Sequence, residues 1–158
     1  YIIRQLTIAI ENQHMLEEMG FKNSRDCLGY RVIVKNIERI GDHAVTLAQD
    51  AIDIKKPIKG KIMTSIEKMN EFALTAIDNT CLALFKNDYL EAENAISESS
   101  KIKKYEDDVL KALEQSKNSA EVFRVRRIAE NIRRIAEYAS DIGEIVLNMN
   151  IEKVTKKN

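Results

Sequence analysis

Two carboxylates one helical turn apart are the residues of this sequence best placed to do chemistry. They are Glu38 and Asp42, within Asn36-Ile37-Glu38-Arg39-Ile40-Gly41-Asp42-His43-Ala44. Residues at i and i+4 share a helix face, and two like charges there disfavour the helix by about 0.2–0.5 kcal/mol unless a cation lies beside them. Lys35, three residues before Glu38, and Arg39, three before Asp42, can each supply that cation, which makes the pair an ordinary solvated face. The same spacing is also how helix bundles present oxygen ligands to hard or borderline metal ions, with carboxylates of facing helices completing the shell. The remaining candidates are sparser. His43 and His14 stand without a serine or cysteine nucleophile at a recognisable spacing, and read as helix-surface histidines. Cys27 and Cys81 lack a CxxC or a neighbouring ligand histidine and read as reduced, partly buried thiols. The five glycines are scattered singly, so no glycine-rich phosphate loop is present.

These residues need a scaffold, and the apolar pattern supplies one. Along Arg31 to Ile52, Ile33, Ile37, Ile40, Ala44, Leu47 and Ala51 recur at steps of three and four, a stripe that predicts a buried helical seam with Glu38 and Asp42 pointing away from it. Before it, Ile2, Ile3, Leu6, Ala9, Ile10 and Leu16 predict a helix from Tyr1 to about Met19, closed by Gly20. Asn23 then offers an N-cap, with Asp26 as its capping-box partner. Lys55, Lys56 and Pro57 break the long helix. A third helix is expected over Lys61–Lys86, on the stripe of Ile62, Ile66, Met69, Ala73, Ala76, Thr80 and Leu84. A fourth begins with the capping box Asp88 and Glu91, with a polar middle from Ser97 to Lys101. Lys117, Asn118 and Ser119 introduce a last helix to about Asn150, followed by a lysine-rich tail expected to fray.

Composition limits what such a bundle can be. Ala, Leu, Ile, Glu and Lys are plentiful, with one Pro and no Trp, as suits long packed helices. Twenty-five basic residues balance twenty-five acidic ones, so no overall field draws this segment to nucleic acid or an anionic membrane. No apolar run reaches the roughly 20 residues of a membrane-spanning helix, and no signal-peptide pattern opens the chain, so a cytoplasmic location without membrane insertion is expected.

The two longest helices repeat one another at an offset of 95 residues. Lys22-Asn23-Ser24 recurs as Lys117-Asn118-Ser119, and Arg31, Ile33, Asn36, Ile37, Arg39, Ile40 and Ala44 recur as Arg126, Ile128, Asn131, Ile132, Arg134, Ile135 and Ala139. Ten of the 23 positions from 22 to 44 are thus identical to their counterparts. Self-similarity of this length points to a duplicated supersecondary unit. The fold expected is all-α: two tandem three-helix repeats, residues 1–55 holding the last two helices of the first repeat and 56–158 the whole second repeat. On this reading the chain is a fragment whose first helix lies before Tyr1. Gly41 and Ala136, equivalent positions beside the seam, are expected to admit a neighbouring helix closely.

With these residues in hand, the stretch Asn36 to Ala44, followed by Val45 and Leu47-Ala48, resembles the signature of PhoU-type phosphate-signalling regulators, built from two three-helix repeats that each carry an acidic ExxxD motif. Asp26-Cys27-Leu28-Gly29-Tyr30-Arg31 resembles the archaeal branch, in which an AbrB-like DNA-binding domain often precedes the PhoU region. The resemblance implies a non-enzymatic regulator that restrains phosphate uptake and phosphate-responsive gene expression through a transporter or a sensor kinase. It also implies that iron or zinc can sit on the acidic motifs. In the second repeat Arg133 replaces Glu38 and Glu137 replaces Asp42. That i, i+4 pair can neutralise itself, as can Arg126 with Glu130. Glu137 and Asp141 spell a shifted ExxxD one turn out of register, near Glu144. The expected metal positions are therefore Glu38 and Asp42, with Glu137 and Asp141 as a degenerate or shifted second pair.

Two further readings stand beside this one. A carboxylate-bridged metal enzyme of the ferritin-like kind uses Glu-x-x-His pairs that project inwards, and neither histidine here has a Glu three residues before it. A dimerisation module for an upstream DNA-binding domain is the third. Lacking a partner helix, the first repeat is expected to leave an apolar stripe in water, which favours a homo-oligomer.

Overall fold

A computed structural model describes residues 1–21, 23–54, 56–114 and 116–155, with side chains as far as Asn150. Lys22, counted in the repeat, Lys55, counted among the helix breakers, and the last residues of the lysine-rich tail lie outside the described residues. Among the described residues seven helices follow one another: α1 (Ile2–Ile10), α2 (Gln13–Glu18), α3 (Ser24–Ile52), α4 (Gly60–Lys86), α5 (Tyr89–Ser99), α6 (Ile102–Leu113) and α7 (Ser119–Thr155). No strand occurs among the described residues, so the all-α class holds.

The helix ends are set by short polar side chains. The Asn23 side chain accepts from the Asp26 amide at 2.9 Å, Asp88 accepts from Leu90 and Glu91, and Asn118 accepts from Glu121. Asn87 closes α4 in the left-handed conformation, with φ 51°. Two expected helices are split. Residues 1–19 form α1 and α2, because the Asn12 side chain accepts from the His14 and Met15 amides and starts a new helix in mid-segment. The fourth helix divides into α5 and α6 at Ser100 and Lys101, within the polar stretch where its apolar period lapses.

Helix α7 is the spine. It packs on α3, α4, α5 and α6. Apolar neighbours give the directions. Ile66 and Met69 of α4 meet the Val125–Ile132 portion of α7, while Ala83 meets Ile142 and Val146, so α4 and α7 run parallel. The α5–α6 limb returns antiparallel, with Ile96 against Gly143, Glu106 on Arg133 and Leu113 near Val125. This three-helix unit contains the main core, where Met69, Val109, Val125 and Ile132 are sealed from water. A smaller cluster of Leu6, Ala9, Leu16 and Cys27 fastens α1 and α2 to the start of α3.

The expected α3 seam is rotated. Ile33 is buried and Ile40 and Leu47 partly so, but Ile37 is 53 % exposed and Ala44 and Ala51 face water. The face turned to α7 instead runs through Ile33, Asn36, Ile40, His43, Leu47 and Asp50. Polar residues enter it because α7 supplies partners for His43 and Asp50, while Asn36 accepts from Arg39 of its own helix. On α7 the counterparts of the open positions, Ile132, Ala136, Ala139, Gly143 and Val146, are all buried beneath α4 and α5.

Candidate functional site

Helices α3 and α7 lie antiparallel, and their polar pairings follow one another along the crossing. Arg25 donates to the Asn148 carbonyl at 3.1 Å, His43 Nδ1 lies 2.7 Å from Asn131 Oδ1, Asp50 pairs with Arg127 at 3.2 Å and Asp53 with Arg124 at 3.0 Å. One of these positions also interchanges under the 95-residue offset. His43 meets Asn131, the counterpart of Asn36. The reciprocal neighbours, Asn36 and Tyr138, are bridged by Arg39, which donates to Asn36 Oδ1 and lies 5.4 Å over the Tyr138 ring. Asn36 and Asn131 are both buried. The two copies of the repeated helix thus meet through a nearly two-fold polar seam. His43, expected on the surface, is half-buried in this seam because Asn131 takes its ring nitrogen.

Glu38 and Asp42 project on the other side of α3, and both are exposed, as expected. Lys35 donates to Glu38 at 2.8 Å, and that hydrogen bond holds the Glu38 carboxyl below the usual range. Arg39, expected beside Asp42, is drawn away to Tyr138 and Asn36. Asp42 forms no ion pair among the described residues. Gly41 lies between them on open ground: a side chain built there would meet nothing within 4 Å. The close approach expected at this position is seen at Ala136, which is fully buried, and at Gly29, where an added carbon would sit 2.6 Å from Met149 Sδ.

The second acidic pair is differently committed. Glu137 accepts from both Arg133 and Arg134, and Arg133 also donates to Glu106 at 3.1 Å. The Arg133–Glu137 half of this network was legible as an i, i+4 pair. Arg126–Glu130 does not form; Glu130 lies 4.0 Å from Arg133 instead. Asp141 is left near Glu137, and partial burial together with that negative neighbour pushes its carboxyl up, while Arg39 across the seam opposes the rise. A cation would find two carboxylates at Asp42 and Glu38, with only Lys35 to displace. At Glu137 it would have to displace two guanidinium groups. Among the described residues no group of three or more His, Cys, Asp or Glu side chains is placed to share an ion, so the α3 pair would need further donors from water or from another chain.

The polar seam is the part that apolar periodicity missed. Its signal was present: Asn36, His43 and Asp50 recur every seven residues, the spacing of one helix face. Asp50 is 3 % exposed, and its second carboxylate oxygen has no hydrogen-bond partner. No helix among the described residues is long and apolar enough to cross a membrane.

Comparison with curated proteins and with solved structures gives no match. The family model for the PhoU domain matches residues 1–51 and 66–146, which take in the repeated helices, the acidic pair of α3 and the seam between them. The chain belongs to the PhoU domain family.

Proposed function

We propose that this chain is a non-enzymatic regulatory module that restrains phosphate uptake and phosphate-responsive gene expression. It acts in the cytoplasm by docking on the cytoplasmic face of a phosphate transporter or on a sensor kinase. The observation that carries the reading is the outer face of α3, where Glu38 and Asp42 stand exposed beside an apolar stripe of Ile37, Val45 and Ile52 that no other described element covers. Membership of the PhoU family supports it. Binding rather than redox catalysis follows from the direction of the carboxylates, which face solvent instead of the bundle interior.

On this reading a metal such as iron or zinc sits at Glu38 and Asp42 and sets the charge of the docking face. Glu137 and Asp141 offer a second position only when Glu137 releases its arginines. The open α3 stripe also pairs copies of the chain when no partner is present. The test is co-purification from the native host grown with ample phosphate, using tagged chain and a Glu38→Ala, Asp42→Ala variant, with metal content measured on both. The expected result is a phosphate-transporter subunit or a sensor kinase on the parent, its loss from the variant, and less metal on the variant. Equal recovery of such a partner on both would overturn the docking face, and equal metal content would overturn the metal site.

A further inference from the structure

The groove between α4 and α6 concentrates positive charge, four lysines against two carboxylates. Lys61 and Lys68, two turns apart on α4, line one wall, and Lys104 and Lys111, with the same spacing on α6, line the other. Lys35, Lys86 and Lys101 elsewhere each hold a glutamate, but none of these four takes part in an ion pair among the described residues. The groove is open to solvent along its length and offers about 790 Å³, within the size range of small-molecule sites. Between the lysines Phe72 and Tyr105 stack with ring centroids 4.6 Å apart, both half-buried, and give an apolar floor. Glu71 and Asp108 also line it, each without an ion pair among the described residues.

Each of these features selects against some ligands. Four ammonium groups in one concavity favour an anion with several charges, and lysine binds phosphate oxygens as a mobile point charge. A bare phosphate chain would leave the aromatic floor unused and would be repelled by the two carboxylates. A ligand with a flat ring and hydroxyl or amino donors satisfies both. We propose that the α4–α6 groove binds a nucleotide carrying two or more phosphates. The lysines hold the phosphates, the ring lies against Tyr105 and Phe72, and Glu71 and Asp108 accept from sugar hydroxyls or a base amine. Phosphate is then held by side-chain ammonium groups, which accords with the lack of a glycine-rich loop. The site lies on different helices from Glu38 and Asp42 and does not depend on the docking reading.

Titration calorimetry of the purified chain with ATP, AMP and inorganic tripolyphosphate tests it. ATP is expected to bind saturably at one site per chain, with AMP and tripolyphosphate each about tenfold weaker or more. Lys68→Glu with Lys104→Glu should weaken ATP at least about tenfold, a loss of about two charge-assisted contacts. Both lysines are exposed, so the circular dichroism and melting midpoint of the variant should match the parent's. Tyr105→Leu should weaken ATP and leave tripolyphosphate unchanged. The proposal is overturned by no saturable ATP binding, by tripolyphosphate binding as tightly as ATP, or by ATP binding that ignores the charge reversals in a folded variant.

Discussion

A single side chain can report on the second acidic pair. Asp141 has its carboxyl pushed up by partial burial and by Glu137. A group whose folded value lies above its unfolded value favours the fold while protonated, and that contribution is lost as pH rises through the folded value. At neutral pH an ionised Asp141 therefore works against the fold. Asp141→Asn is expected to melt at a higher temperature than the parent at pH 7, with the advantage fading at a pH low enough to return the proton to Asp141. An advantage of the same size at both pH values would mean that charge is not its origin. Glu38 has the opposite sign. Its carboxyl is held down by Lys35, so what the pair contributes is present at neutral pH and lost as acid protonates Glu38.

Along one element, glycine separates packed from open surface. Gly29 and Gly41 both lie in α3, and at each of them alanine removes backbone freedom from the unfolded chain and raises helix propensity by about 1 kcal/mol. Gly41→Ala meets nothing and should stabilise by about 0.5–1 kcal/mol. Gly29→Ala drives a carbon to 2.6 Å from Met149 Sδ and 3.3 Å from Ile145 Cγ2, so the flexible Met149 side chain must shift and its displacement offsets part or all of the gain. Urea unfolding should show Gly29→Ala less stable than Gly41→Ala, and equal stability of the two would show that α3 does not approach α7 this closely. The same helix shows what could be read in advance. Its caps and its outward carboxylates were legible because short-range spacing fixes them. The rotation of its buried face was not, because apolar periodicity seeks the most hydrophobic stripe, whereas α7 presents Asn131 and Arg127 and so draws His43 and Asp50 inwards. The breaks at Asn12 and Ser100 were hidden for a related reason: apolar spacing resumes beyond each of them. The lysine groove escaped notice because its two rows come from helices joined only through the fold.

For the molecule as a whole, the duplication gives a direct comparison between a covered and an uncovered copy of one surface. Ile132 is 1 % exposed on α7, while its counterpart Ile37 is 53 % exposed on α3, with Val45 and Ile52 open beyond it. Adjoining apolar residues of this kind favour association. Sedimentation of the purified chain is expected to show concentration-dependent self-association, and Ile37→Glu with Ile52→Glu to shift it to monomer without loss of helix. A parent chain that stays monomeric across the whole concentration range would remove the basis for pairing through α3.

The central place of α7 also bears on how the protein is made. Every core except the one under α1 and α2 contains residues of this helix, and it follows all the others in the chain. Until α7 is in place, the apolar faces of α4, α5 and α6 have only one another to collapse on, and His43 and Asp50 of α3 have only water as a partner. Packing of the larger part therefore depends on α7, and the helices before it expose apolar surface until it docks.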